Sequence, residues 1–157
     1  MTDRQTPNLL IIGADEAAQH YVRRALGTSD CRCTYVSDVR EALGAAREVL
    51  MDAALVDLSS FEGEAGLRLA RQIRREFDDL PVVLIEEAPN PQGAMEAMHM
   101  GAADYLRMPF SGDELAEAVE RAVRWRREAV DHRETVERHE QEASARAAAL
   151  VRACAES

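Results

Sequence analysis

The sequence predicts an α/β domain built on a five-stranded, parallel, doubly wound sheet and followed by a long C-terminal α-helix. Three observations carry that reading. Five short apolar runs recur between residues 9 and 108; amphipathic stretches of ten to fifteen residues separate them; and from Leu115 to Cys154 there is neither Gly nor Pro. Strands of this length alternating with helices imply right-handed crossovers and a sheet covered on both faces. The 157 residues suffice for one such domain and an appendage. The expected division is an N-terminal tail over 1–7, the domain over 8–127 and a helical extension over 128–157.

Taken in order, LLII (9–12) is the first strand: a continuous apolar run bounded by polar and turn residues suits a strand buried on both faces. Residues 15–27 then place Ala18, Val22, Ala25 and Leu26 on one side of a helix. CRCTYV (31–36) is the second strand, and 38–50 is a helix with Val39, Ala42, Leu43, Ala46 and Leu50 inward. AALVDL (53–58) leads to a helix over 63–77 with Leu67, Ala70, Ile73 and Phe77 inward. PVVLI (81–85), a short helix over 91–100 and DYLRM (104–108) complete the sheet, and Ser111 or Asp113 caps the fifth helix. In this architecture ligands meet the carboxyl ends of the strands, so residues 13–16, 57–62, 86–89 and 107–110 are the ones to inspect.

Composition narrows the function. A formal net charge of -10 disfavours nucleic acid, because phosphate-backbone binding depends on clustered cations. All 19 basic residues are arginine, so no mechanism that needs a lysine operates within the chain. Cys31, Cys33 and Cys154 are an odd number without an export signal, which predicts a cytoplasmic protein with reduced thiols and no membrane association. Cys31 and Cys33 share one face of a strand but lack a second pair, so no metal site is expected there. His99, His132 and His139 read as surface residues. GADEAAQ is too poor in glycine for a dinucleotide fingerprint.

The fifth helix, extended over roughly forty residues, would be about 60 Å long. One heptad register places Leu115, Ala122, Ala129, Val136, Ala143 and Leu150 at every d position and Val119 at an a position. Charged Arg126, Arg133 and Glu140 at later a positions weaken that seam. The expectation is a dimerising helix, with a solvated single helix as the alternative.

The segment GAADYLRMPF (101–110), followed by SGDEL, now carries a resemblance. From about Asn8 to Arg127 the chain resembles the receiver domain of two-component response regulators, with its flavodoxin-like or CheY-like fold. The match departs from the family's Gly-Ala-x-Asp-Tyr-Leu-x-Lys-Pro-Phe signature at one fixed position, where Met108 stands for lysine. The resemblance implies an acidic pair holding Mg²⁺ after the first strand, a phosphoacceptor aspartate after the third, a hydroxyl after the fourth and a lysine after the fifth. Asp57 stands at the phosphoacceptor position; Gly13 and Ala14 replace the acidic pair, Glu86 the hydroxyl and Met108 the lysine.

Phosphoryl transfer depends on cations that offset charge on the equatorial oxygens, so these replacements imply a pseudo-receiver without enzymatic activity. No cofactor is expected. The alternative is a working phosphoacceptor, in which Asp15 or Glu16 forms a weak Mg²⁺ site with Asp57 and a histidine kinase supplies the phosphoryl group. Phe61, in place of the family's proline, and Met108 are expected to close the old pocket together, with exposure of Phe61 at a partner surface as the alternative. Tyr105 stands at the family's switch-aromatic position, and Met95, Met98 and Met100 lie close by in sequence, either filling the core or facing a partner. The implied partners are proteins: a second copy through the face of the fourth and fifth helices and the C-terminal helix, a histidine kinase, or an output domain.

Overall fold

The computed structural model describes residues 6–13, 15–27, 30–87 and 91–156; the expected tail over 1–7 therefore lies mostly outside the described residues, and so does Ala14. The elements run β1 (Asn8–Ile12), α1 (Glu16–Ala25), β2 (Arg32–Val36), α2 (Val39–Glu48), β3 (Ala53–Asp57), a 3₁₀ turn (Leu58–Ser60), α3 (Ala65–Glu76), β4 (Val82–Glu86), α4 (Pro91–Met100), β5 (Asp104–Arg107) and α5 (Gly112–Ala155). All strand pairings are parallel, in the order β2-β1-β3-β4-β5. This is the expected doubly wound sheet, and its strand ends fall within one residue of those read from the apolar runs.

Side-chain alternation divides the core between the two faces of the sheet. Leu10, Ile12, Ala54, Val56, Val82 and Leu84 pack on one face with α2 and α3. Leu9, Ile11, Ala53, Leu55, Val83 and Ile85 pack on the other with Leu115, Ala118 and Ala122 of α5. Each fully buried Leu or Ile contributes about 2 kcal/mol by area removed from water.

Capping explains where the helices begin. Asp15 accepts from the Ala17 N–H (2.9 Å), Asp38 from the Glu41 N–H (2.8 Å) and the Ser111 hydroxyl from the Glu114 N–H (3.1 Å), so Ser111 rather than Asp113 caps the fifth helix. Leu50 corrects the reading of the second helix: it lies beyond the end of α2 and is 80% exposed, although its spacing matched the apolar side. Gly66 lets α3 sit close on the turn before it, since a Cβ there would stand 3.0 Å from Leu58 Cδ2 and 3.3 Å from Leu58 Cα.

The chain divides into two compact units, residues 1–126 and 127–157. In the first, Leu115, Val119 and Ala122 are buried against the sheet, which removes them from the expected dimer seam. An a/d spacing and a core-facing stripe share the same residues over two turns, and here the sheet takes them. In the second, Val136, Ala143 and Leu150 are exposed. No helix among the described residues is long and apolar enough to cross a membrane.

Candidate functional site

Asp57 ends β3 in the centre of the sheet and, at 6% exposure, is a buried charged side chain. The residues after it turn back to meet it. The Ser60 hydroxyl donates to Asp57 Oδ2 (2.7 Å) and the Ser59 N–H to Oδ1 (3.1 Å). Ser59 Oγ in turn accepts from the Glu87 N–H (2.8 Å), which ties the β3 and β4 exits together. An Asp two or three residues before Ser is a local hydrogen-bonding pattern legible in LVDLSS, yet the sequence reading passed over Ser59 and Ser60.

Burial pushes the Asp57 carboxyl above its ordinary range; the Ser60 and Ser59 hydrogen bonds pull it back, and the charges of Asp15 and Glu87 add to the push. A raised pKa in the folded state means that stability from this group is full below the ordinary carboxylate pKa and is lost as pH rises through the raised value. Asp57→Asn cannot ionise, and its amide can still accept from Ser59 and turn its NH₂ to Ser60. The variant is therefore expected to resist urea better than the parent at pH 7, with the gap closing toward about pH 4. Paired unfolding curves at the two pH values check this; a gap independent of pH would contradict it.

Gly13 stands beside Asp57: a Cβ on it would lie 3.5 Å from Asp57 Cβ and 3.2 Å from Ser60 Oγ. The Gly13 carbonyl accepts from Gln19 Nε2 (2.6 Å). Asp15 spends Oδ1 on its capping bond, and Glu16 is exposed in the first turn of α1. Among the described residues, no three His, Cys, Asp or Glu side chains converge to hold a metal. Mg²⁺ is usually held by one or two carboxylates with waters completing the octahedron; the charge of Asp15 bears on Asp57, but its Oδ1 is taken by the capping bond.

The β4 exit departs from expectation. Asp57 is in register with Ile85, so alternation puts Glu87 on the Asp57 face and Glu86 on the opposite one. Glu86 accepts a hydrogen bond from the Tyr105 hydroxyl, and burial together with that bond pushes the Tyr105 phenol up to about 12. The charge that bears on Asp57 from β4 is thus that of Glu87.

The pair expected to close the pocket is also separated. Phe61 packs with the cluster of Leu58 and Leu69 on one face, whereas Met108 packs with Ile85 and Phe110 on the other. Met108 does share a face with Asp57, while Arg107 is exposed. Beyond Met108, the Tyr21 hydroxyl donates to the Phe110 carbonyl (2.6 Å) and accepts from its N–H (3.0 Å), fixing the start of α5. Met95 and Met98 are exposed on α4, and Met100 is partly buried against the core.

This fold and this arrangement at the strand ends match the family described as the response regulator receiver domain over residues 9–120. The chain belongs to that family. It is 32% identical over 113 residues to the DNA-binding transcriptional regulator NtrC of Salmonella typhimurium, covering 72% of this chain and 24% of that protein. It is 32% identical over 142 residues to the C4-dicarboxylate transport transcriptional regulatory protein DctD of Pseudomonas aeruginosa, covering 88% of this chain and 30% of that protein. The chain thus spans about a quarter to a third of the length of these relatives. A response regulator from Thermotoga maritima superimposes with a TM-score of 0.68 at 29% identity, covering 75% of this chain and 98% of that one. Within the receiver frame, this domain has its aspartate bonded by its own loop, with Gly13 beside it and Met108 on the same face of the sheet.

Proposed function

We propose that this receiver signals without phosphorylation, through protein contacts. The observation that supports this most is the state of Asp57. Both carboxylate oxygens accept hydrogen bonds from Ser59 and Ser60, and the chain offers Gly13 and Met108 where a metal ligand and a cation are needed. A phosphoryl group there would add charge to a site that already feels Asp15 and Glu87. The second reading, phosphorylation of Asp57 by a histidine kinase, has in its favour that Asp57 itself stands at the end of the central strand.

The contacts proposed are of two kinds. Exposed Met95 and Met98 on α4 form an adaptable apolar surface for a protein partner, a second copy or an output domain. Ala129, Val136, Ala143 and Leu150 provide a seven-residue repeat through which the C-terminal part of α5 pairs with another helix. Sedimentation of the full chain is expected to show a dimer whose mass is the same for Asp57→Asn, and a monomer when the chain stops after Arg127. An unchanged mass on truncation would remove the helix from the interface; loss of the dimer in Asp57→Asn would link association to the aspartate and favour the second reading.

A further inference from the structure

At the opposite end of the sheet from Asp57 there is a cavity of about 370 Å³, between the last turn of α3, the entry to β4, the α4–β5 turn and α5. Its size falls within the range of roughly 300–1,000 Å³ usual for small-molecule sites. Arg74, Trp125 and the backbone from Gly101 to Ala103 form most of the lining. Gly101 ends α4 at φ +77°, a conformation that favours glycine, and Arg74 Nη2 would lie 3.9 Å from a Cβ there. Ala102 and Ala103 add only methyl groups, so no bulky side chain rises from that floor.

Arg74 supplies the charge. Its Nη1 donates to the carbonyls of Asp78 and Leu80, both at 3.2 Å, which fixes the guanidinium with its Cζ 5.5 Å from the Trp125 ring centroid. Its Nε is buried without a hydrogen-bond partner. Although the chain has 29 acidic residues, none of the ion pairs among the described residues involves Arg74. Arg121, also in the lining, is already offset by Asp104 at 2.5 Å and by the charge of Glu117. The cavity therefore presents one uncompensated cation beside an indole that is 44% exposed.

We propose that this cavity is a binding site for a small aromatic monocarboxylate, with the carboxylate on the Arg74 guanidinium and the ring against Trp125 and the alanine floor. One free cation matches one negative charge; a phosphate dianion would leave a charge unpaired near Asp104 and Glu117. The indole and the side-chain-poor floor favour a flat apolar body over a polar one. The site lies away from the phosphoacceptor position and does not depend on whether Asp57 is modified.

Trp125 is the only tryptophan, so its indole N–H resonance reports the site in the full chain. Titration with benzoate and phenylacetate is expected to shift that resonance saturably at millimolar concentration or below, while benzamide and inorganic phosphate do not. Arg74→Gln should weaken benzoate at least about tenfold, as expected for loss of a charge-assisted contact. Because Arg74 also holds the turn before β4, a second variant is needed: Ala103→Leu fills the cavity from an exposed position and should abolish the shift with the fold intact. No saturable shift with either acid, equal binding of benzamide, a shift with phosphate instead, or unchanged binding in Ala103→Leu would overturn the proposal.

Discussion

A triple variant, Gly13→Asp, Ala14→Asp and Met108→Lys, is expected to take up one phosphoryl group at Asp57 from acetyl phosphate and Mg²⁺, and the parent chain is expected to take up none. The first substitution acts on the aspartate directly. A Cβ at residue 13 would stand 3.2 Å from Ser60 Oγ, so Ser60, which donates to Asp57 Oδ2, must give by a few tenths of an ångström. The two new carboxylates supply the hard oxygen ligands that Mg²⁺ requires. Lysine at 108 then places an ammonium on the Asp57 face of the sheet. Each such electrostatic contact to a transferring group is worth about 10²–10³ in rate, so restoring the metal and the cation together is expected to raise phosphorylation by roughly 10⁴ or more. Adding Glu86→Thr should change the rate far less than Met108→Lys does, because Glu86 faces Tyr105. Intact mass of each variant checks this. A folded triple variant with no mass gain would show that the site is blocked by something other than these three residues.

Leu115→Ala is expected to lower domain stability by about 3 kcal/mol, the usual cost of emptying a fully buried leucine. Leu115 is 0% exposed, packed among the residues on the α5 face of the sheet. That loss is a large part of the 5–15 kcal/mol that ordinarily holds a domain together. Val136→Asp with Leu150→Asp should behave in the opposite way, because those side chains are 41% and 68% exposed. Domain unfolding should stay within about 0.5 kcal/mol of the parent, as for most surface changes, while self-association is lost. Urea denaturation and sedimentation on the same samples separate the two effects. Equal destabilisation by both variants would mean that the C-terminal part of α5 belongs to the domain's cooperative unit.

The fold was legible because its three central strands are buried on both faces. NLLII, AALVD and VVLIE are continuous apolar runs closed by polar residues, and nothing competes with that pattern. Leu50 misled because helical spacing says nothing about where a helix stops; the chain leaves α2 at Val49, and the next apolar residue faces outward. Leu115, Val119 and Ala122 misled for a related reason, since a core stripe and a coiled-coil seam look alike over two turns.

At the site, the positions Asp57, Gly13 and Met108 could be found from the motif, but what their neighbours do could not. That Glu86 bonds Tyr105 while Glu87 bears on Asp57 follows from the Asp57–Ile85 register, which is a property of strand pairing rather than of either strand alone. Ser59 and Ser60 were within reach, because Asp-x-Ser-Ser is a local capping pattern. The Arg74–Trp125 stack was not, since it joins residues 51 apart that no periodicity connects.

The central claim is that Asp57 is held by its own loop and does not accept a phosphoryl group. Intact-protein mass after incubation with acetyl phosphate and Mg²⁺, with Asp57→Asn alongside, tests it most directly. The expected result is the same unmodified mass for both chains. A phosphoryl gain in the parent that is absent from Asp57→Asn would contradict the claim, and would show that Ser60 yields the carboxylate to a metal and a phosphodonor.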